Sequence, residues 1–126
     1  IAASKISKAR ITSLDNDKIA VETAKFNLIK NQATLNSKVF RSEGLKNIHL
    51  IRFSKFDLVF ANILFNPLKT LVKSLHKFVM KDGLVILSGI SVQQAIKIEA
   101  IYLGHNLKKV HFINEDNWMT LVMKKI

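Results

Sequence analysis

The chain has 126 residues, 48% of them hydrophobic, with twenty Lys and Arg against nine Asp and Glu, for a formal charge of +11. That length suits one soluble domain, and the apolar fraction is too high for a disordered chain despite the charge. No apolar run approaches the roughly 18 to 20 residues that cross a bilayer, the opening IAASKISKAR lacks the apolar core of a signal peptide, and the absence of Cys with only four scattered His argues against disulfides, metal sites and redox chemistry. A cytoplasmic protein without a metal is expected.

In chain order, Ile1 to Ser7 reads as the tail of a helix that begins upstream, since Ile1, Ala2, Ala3 and Ile6 are apolar and no N-cap precedes them. Arg10 to Leu14 is a short strand. Asp15-Asn16-Asp17 breaks it, and Asp17 is placed to cap a helix to about Asn31 with Ala20, Ala24 and Leu28 on one face. Lys38 to Arg41 and, more weakly, Ile48 to Ile51 are strands, with Ser42-Glu43-Gly44 a turn between them. Phe56 to Leu64, FDLVFANIL, is the near-continuous apolar run of a strand buried on both faces in mid-sheet.

Asn66 then caps a helix with Pro67 at its first position, and Leu68, Leu71, Val72, Leu75, Phe78 and Val79 recur at helical spacing opposite Lys69, Lys73 and Lys77. Lys81-Asp82-Gly83 turns into a buried strand, Leu84 to Leu87, that ends at Ser88-Gly89. Ser91 with Gln94 is a capping-box signature for a helix through about Leu103, with Gly104 as a left-handed stop. His105 to Asn114 and Trp118 to Lys124 form a hairpin around Glu115-Asp116-Asn117, with Trp118 in the core. Alternating strands and helices followed by a hairpin predict an α/β fold with a mostly parallel sheet and a C-terminal antiparallel hairpin.

Ligands in such sheets bind at the carboxyl ends of the strands, where the sequence places Asp15, Asn62 and Ser88-Gly89. Asp15 stands where doubly wound nucleotide-binding folds put an acid that accepts both ribose hydroxyls; alternatively it only shapes the turn before Asp17. Asn62, inside an apolar run, is expected to be a buried amide that needs partners. Its oxygen could accept from a substrate amine, or the amide could bridge two loops.

The segment NILFNPL at Asn62 to Leu68, preceded by FDLVFA and followed by LVILSGI at Leu84 to Ile90, resembles the PrmA family of bacterial ribosomal protein methyltransferases. SLDND at Ser13 to Asp17 and the closing NEDNWMTLVMKK are similar to that family in order and spacing, and the resemblance is weakest from Gln32 to Lys55. It implies a Rossmann-like, S-adenosylmethionine-dependent methyltransferase that methylates amines of a large-subunit ribosomal protein. It also implies that Asp15 holds the cofactor ribose, that Glu43, Gly44 and Leu45 lie near the adenine, and that Asn62 lines the cofactor pocket where the methyl group meets the acceptor nitrogen. Phe65 would be an aromatic wall for a cationic sulfonium or ammonium, unless it serves the core.

The family's glycine-rich loop, first strand and N-terminal substrate-recognition domain have no counterpart here, so the chain reads as a C-terminal fragment that binds the cofactor weakly or not at all. The missing strand would stand between Arg10 to Leu14 and Phe56 to Asn62, leaving unpaired edges or a re-paired sheet. Other methyltransferases of this fold, acting on protein glutamine or RNA, remain alternatives, as does a non-catalytic basic RNA-binding module. The lysines are spread along the chain and not gathered with aromatic platforms, which argues against direct nucleic-acid binding.

Overall fold

The structure, a computed structural model, describes residues 1–46 and 55–126. The weak strand expected at Ile48 to Ile51 lies outside these residues. Where length argues for a single core, the chain divides into two compact units, Ile1–Phe53 and Ser54–Ile126.

In the first unit a short helix α1 (Ala2–Ile6) precedes β1 (Ile11–Asp15), α2 (Lys18–Lys30) and β2 (Ser37–Arg41). The strands pair in parallel, from Ile11 opposite Ser37 to Asp15 opposite Arg41, so their carboxyl ends coincide. Two aspartates build the break after β1. Asp15 Oδ1 accepts from the Asp17 N–H at 2.9 Å, and Asp17 Oδ1 accepts from the Ile19 N–H at 2.8 Å, capping α2 as the sequence predicts. Beyond α2, Gln32 at φ 53° reverses the chain, and the Ala33 N–H donates to the Leu28 carbonyl at 2.9 Å. Val21, Leu28, Ala33 and Val39 form the buried cluster, with Ala24 against it. Val21 takes the place expected for Ala20, while Ile19, Phe26 and Ile29 of the same helix stay exposed.

The second unit contains β3 (Phe56–Asn62), α3 (Phe65–Phe78), β4 (Val79–Ser91), α4 (Val92–Leu103), β5 (Leu107–Glu115) and β6 (Trp118–Lys125), with sheet order β3-β4-β6-β5. β3 and β4 are parallel, whereas β6 is antiparallel to both β4 and β5. The predicted class, α/β with parallel pairs and a closing antiparallel hairpin, is therefore observed. One sheet face is sealed by the helices. Leu68, Val72 and Leu75 of α3 and Ala95, Ile98 and Tyr102 of α4 are buried together with Val85, Leu87, Leu121 and Met123 of the strands. Tyr102 donates its hydroxyl hydrogen to the Leu68 carbonyl at 3.0 Å, which satisfies a buried phenol and ties the two helices. Lys125 donates to the carbonyls of His76 and Val79, meeting acceptors that the end of α3 would leave open. The hairpin turns on Asp116 and Asn117, both at positive φ (47° and 67°), as a two-residue turn between twisted strands requires.

Several local expectations give way to the structure. β3 is not a mid-sheet strand buried on both faces: it pairs only with β4 among the described residues, and Leu58 and Phe60 are 43% and 66% exposed. β1 likewise pairs only with β2 among the described residues.

α3 starts at Phe65 behind Leu64, which gives no side-chain cap, so Asn66 is inside the helix and Pro67 is its third residue. Proline is still tolerated there because first-turn N–H groups lack helical acceptors. Lys81-Asp82-Gly83 does not precede a separate strand. It is an irregularity within β4, where Phe56 faces Val79 but Leu58 faces Leu84. Gly104 is right-handed (φ −61°), and the left-handed residue after α4 is Asn106 at φ 61°. Trp118, expected in the core, is 61% exposed at the hairpin end of β6.

Candidate functional site

At the carboxyl end of the first unit's sheet, Asp15 closes β1 and the turn with Glu43, Gly44 and Leu45 follows β2. The parallel register brings these two predicted segments to the same end, and the Ser42 N–H donates to the Asp15 carbonyl at 2.9 Å across the step. Asp15 is exposed. One carboxylate oxygen accepts from the Asp17 N–H, so Asp15 shapes the turn before Asp17, the plainer of the two readings the sequence offers. Arg41, not singled out from sequence, braces the loop by donating from Nε to the Asn16 carbonyl at 3.1 Å. The sequence places it only as the last residue of the Lys38 to Arg41 strand; its place opposite Asp15 comes from the register. Gly44 adopts φ 59°, a conformation that favours glycine, and Leu45 is half-buried. Glu43 accepts from Lys46 at 2.9 Å; that hydrogen bond, and then the ammonium charge, hold its carboxyl below its usual range.

At the carboxyl end of the second unit's parallel pair, Asn62 lies opposite Ser88. Contrary to the expectation of a buried amide, Asn62, the last residue of β3, is exposed, and among the described residues β3 stands at the sheet's edge. It is therefore free of the desolvation penalty that made it notable in the sequence. Beside it the β4 chain bulges: Leu87 faces Leu121 and Ile90 faces Met119, so β4 carries one residue more than β6. Gly89 sits in this bulge at φ 75°, and the Asn62 carboxamide oxygen lies where a side chain at that position would begin. An isolated glycine in an apolar strand pattern signals such a bulge, where the sequence alone suggests a simple strand end.

Phe65 opens α3 half-buried, with the Lys69 ammonium 4.9 Å from its ring centre. Its ring thus already holds a cation, consistent with an aromatic wall and equally with surface packing. Two shallow recesses, of about 300 Å³ beside α2 and β2 and about 120 Å³ between α4 and the hairpin, include none of the predicted site residues. Among the described residues no cluster of His, Cys, Asp and Glu could hold a metal ion, and no helix is long and apolar enough to cross a membrane.

A family description, ribosomal protein L11 methyltransferase (PrmA), matches residues 1–126. The chain belongs to this family. A PrmA-family relative from Thermosipho melanesiensis, named ribosomal protein L11 methyltransferase, is 36% identical over 98% of this chain and 43% of its own length. A relative of the same name from a Caulobacter species is 33% identical over 99% of this chain and 43% of its own length. The chain therefore spans less than half the length of these relatives. Among solved structures, the ribosomal protein L11 methylase of Lactobacillus delbrueckii superposes with a TM-score of 0.87 at 26% identity, over 99% of this chain and 63% of that one. A methyltransferase from Pyrococcus furiosus shares the fold, with a TM-score of 0.81 at 16% identity over 98% of this chain and 66% of that one.

Proposed function

We propose that this chain is the C-terminal part of the catalytic domain of a cytoplasmic, S-adenosylmethionine-dependent methyltransferase that modifies amines of ribosomal protein L11. The observation that carries the reading is the family match along residues 1–126. Asp15 and Asn62 at the carboxyl ends of parallel strands support it. Because the chain covers 43% of its relatives' length, we assign substrate recognition and the methionine-binding glycine-rich loop to sequence outside it.

The donor set at the end of β1 fits a nucleoside. Asp15 offers an exposed carboxylate for ribose hydroxyls on a turn already fixed by its own hydrogen bond. Gly44 lets the backbone of the following turn come close to a flat ring. When bound, the cofactor supplies a methyl group on a sulfonium, a good leaving group. The protein then mainly has to orient a neutral amine. Asn62 would do so by accepting a hydrogen bond from the amine, which directs the nitrogen lone pair away from the accepting oxygen. Phe65 would face the cationic side of the pocket. No acid or base constellation is required of this chain beyond removal of the amine proton.

The test is methyl transfer to purified L11 by the whole protein. Asp15→Ala is expected to raise KM for S-adenosylmethionine about tenfold, the loss of a charge-assisted hydrogen bond. Asn62→Ala is expected to lower kcat more than it changes KM. Unchanged kinetics in both variants would remove the assignment. The 126-residue chain alone should give no calorimetric signal at micromolar cofactor, and a clear isotherm there would overturn that part of the reading.

A further inference from the structure

We propose that Gly89 is a positioning residue for Asn62, holding its carboxamide in one orientation at the end of β3. This rests on the reading of Asn62 as the group that meets the acceptor amine. Side chains three apart in a regular strand point to opposite faces, yet Leu87 and Ile90 are both fully buried. The bulge makes this possible: one extra residue on β4 returns Ile90 to the helix-covered face and leaves Gly89 at φ 75°. At that position the backbone has no side chain on the Asn62 side, and a Cβ built there would lie under 3.0 Å from the Asn62 carboxamide oxygen. The oxygen therefore occupies the space that any other residue would fill.

Gly89 thus does two things for an otherwise exposed amide. It removes the steric bar to the observed rotamer, and it offers a Cα–H toward the oxygen, a weak but directional contact. The contact also decides which end of the amide faces β4. An NH₂ group in the same place would drive its hydrogens against the Cα–H, so the oxygen lies over Gly89 and the two N–H donors point away.

The test separates the missing Cβ from the unusual φ by using Gly89→Asn, since asparagine tolerates positive φ while adding the Cβ. Three-bond NMR couplings of the Asn62 Cγ to its backbone nitrogen and carbonyl carbon should report a single χ1 rotamer in the native chain and an averaged one in Gly89→Asn. Thermal unfolding should show Gly89→Asn lowering Tm by roughly 5 °C, mainly through the positive φ, with the loss measurably smaller in an Asn62→Ala background. Averaged couplings already in the native chain, or equal Tm losses in the two backgrounds, would overturn the proposal. Should Asn62→Ala leave methyl transfer unchanged, the catalytic reading of Asn62 falls while the rotamer and stability coupling remain, so the two failures are distinguishable. If Gly89→Asn does not fold, the native couplings and the Asn62→Ala/Gly89→Asn double variant still decide.

Discussion

The first unit buries a small cluster, Val21, Leu28, Ala33 and Val39, under one helix, and fixes its strand ends with short-range hydrogen bonds at Asp15 and Asp17 and one from Arg41 across to Asn16. The second seals one face of a four-stranded sheet with two helices, and the largest fully buried side chains among the described residues, from Tyr102 and Leu68 to Val79, all belong to it. The candidate ribose-binding carboxylate is thus carried by the thinner unit and the candidate amine-orienting amide by the thicker one. Local hydrogen bonding can shape a binding turn without a large core, but it does so with less apolar burial to resist local opening.

The largest expected effect breaks the thicker core. Leu87, fully buried opposite Leu121, should cost about 3 kcal/mol as Leu87→Ala through lost transfer energy and a residual cavity. Val39→Ala removes less apolar volume from a cluster at the edge of burial and should cost about 1.5 kcal/mol. Residue-resolved hydrogen exchange distinguishes the two. Leu87→Ala should reduce protection across β4 and β6, and Val39→Ala only in α2 and β2. Equal loss of protection everywhere in both variants would mean that the chain opens as one cooperative body, and the contrast between units would fail.

Tyr102 sharpens the comparison through pH. Burial pushes its phenol well above the ordinary value of 10.0, because the charged form would be desolvated. The folded state therefore keeps a proton that the unfolded state releases above about pH 10. Stability from this group is fully present below that pH and lost as pH rises beyond it. Tyr102→Phe should cost about 1 kcal/mol at pH 8, leaving the Leu68 carbonyl without its buried partner. The gap between native and variant should shrink as pH passes 10. Denaturant unfolding at pH 8 and pH 11 measures it, and an equal gap at both would refute the assignment.

Residues whose partners are near in sequence were the legible ones. Asp17 as a cap, the Ser91–Gln94 capping box and the Asp116-Asn117 turn depend on neighbours within three residues, and all are observed. What the sequence could not settle was decided by pairing. An apolar run such as FDLVFAN is the same string whether its strand is central or at an edge, so the exposure of Phe60 and Asn62 depends on what packs over its faces and pairs alongside it. Trp118 went astray for the same reason, since hydrophobicity does not say which end of a hairpin leaves the helices behind. At the candidate site, strand-end position located Asp15 and Asn62, but Gly89 became informative only with the register of β4 against β6.

The smallest expected effect lies in two exposed ion pairs that match in distance and differ in reach. Glu43–Lys46 and Asp82–Lys124 each close at 2.9 Å, and in each the lysine hydrogen bond, followed by its charge, holds the carboxyl below its usual range. A carboxyl lowered in the folded state stabilises it above the ordinary carboxylate range, and that contribution is lost as pH falls through the folded value. Solvent screens both pairs, so Lys46→Met and Lys124→Met should leave Tm unchanged while each partner's carboxyl titration returns toward its ordinary value. The pairs should part company in the Leu87→Ala background. Glu43 needs only a lysine three residues on, whereas Asp82 depends on the register that brings β6 beside β4. Partial melting of the second unit by mild denaturant should therefore raise the Asp82 titration midpoint and leave that of Glu43 in place. Parallel movement of both midpoints would show that the two units do not differ in how their surfaces are held.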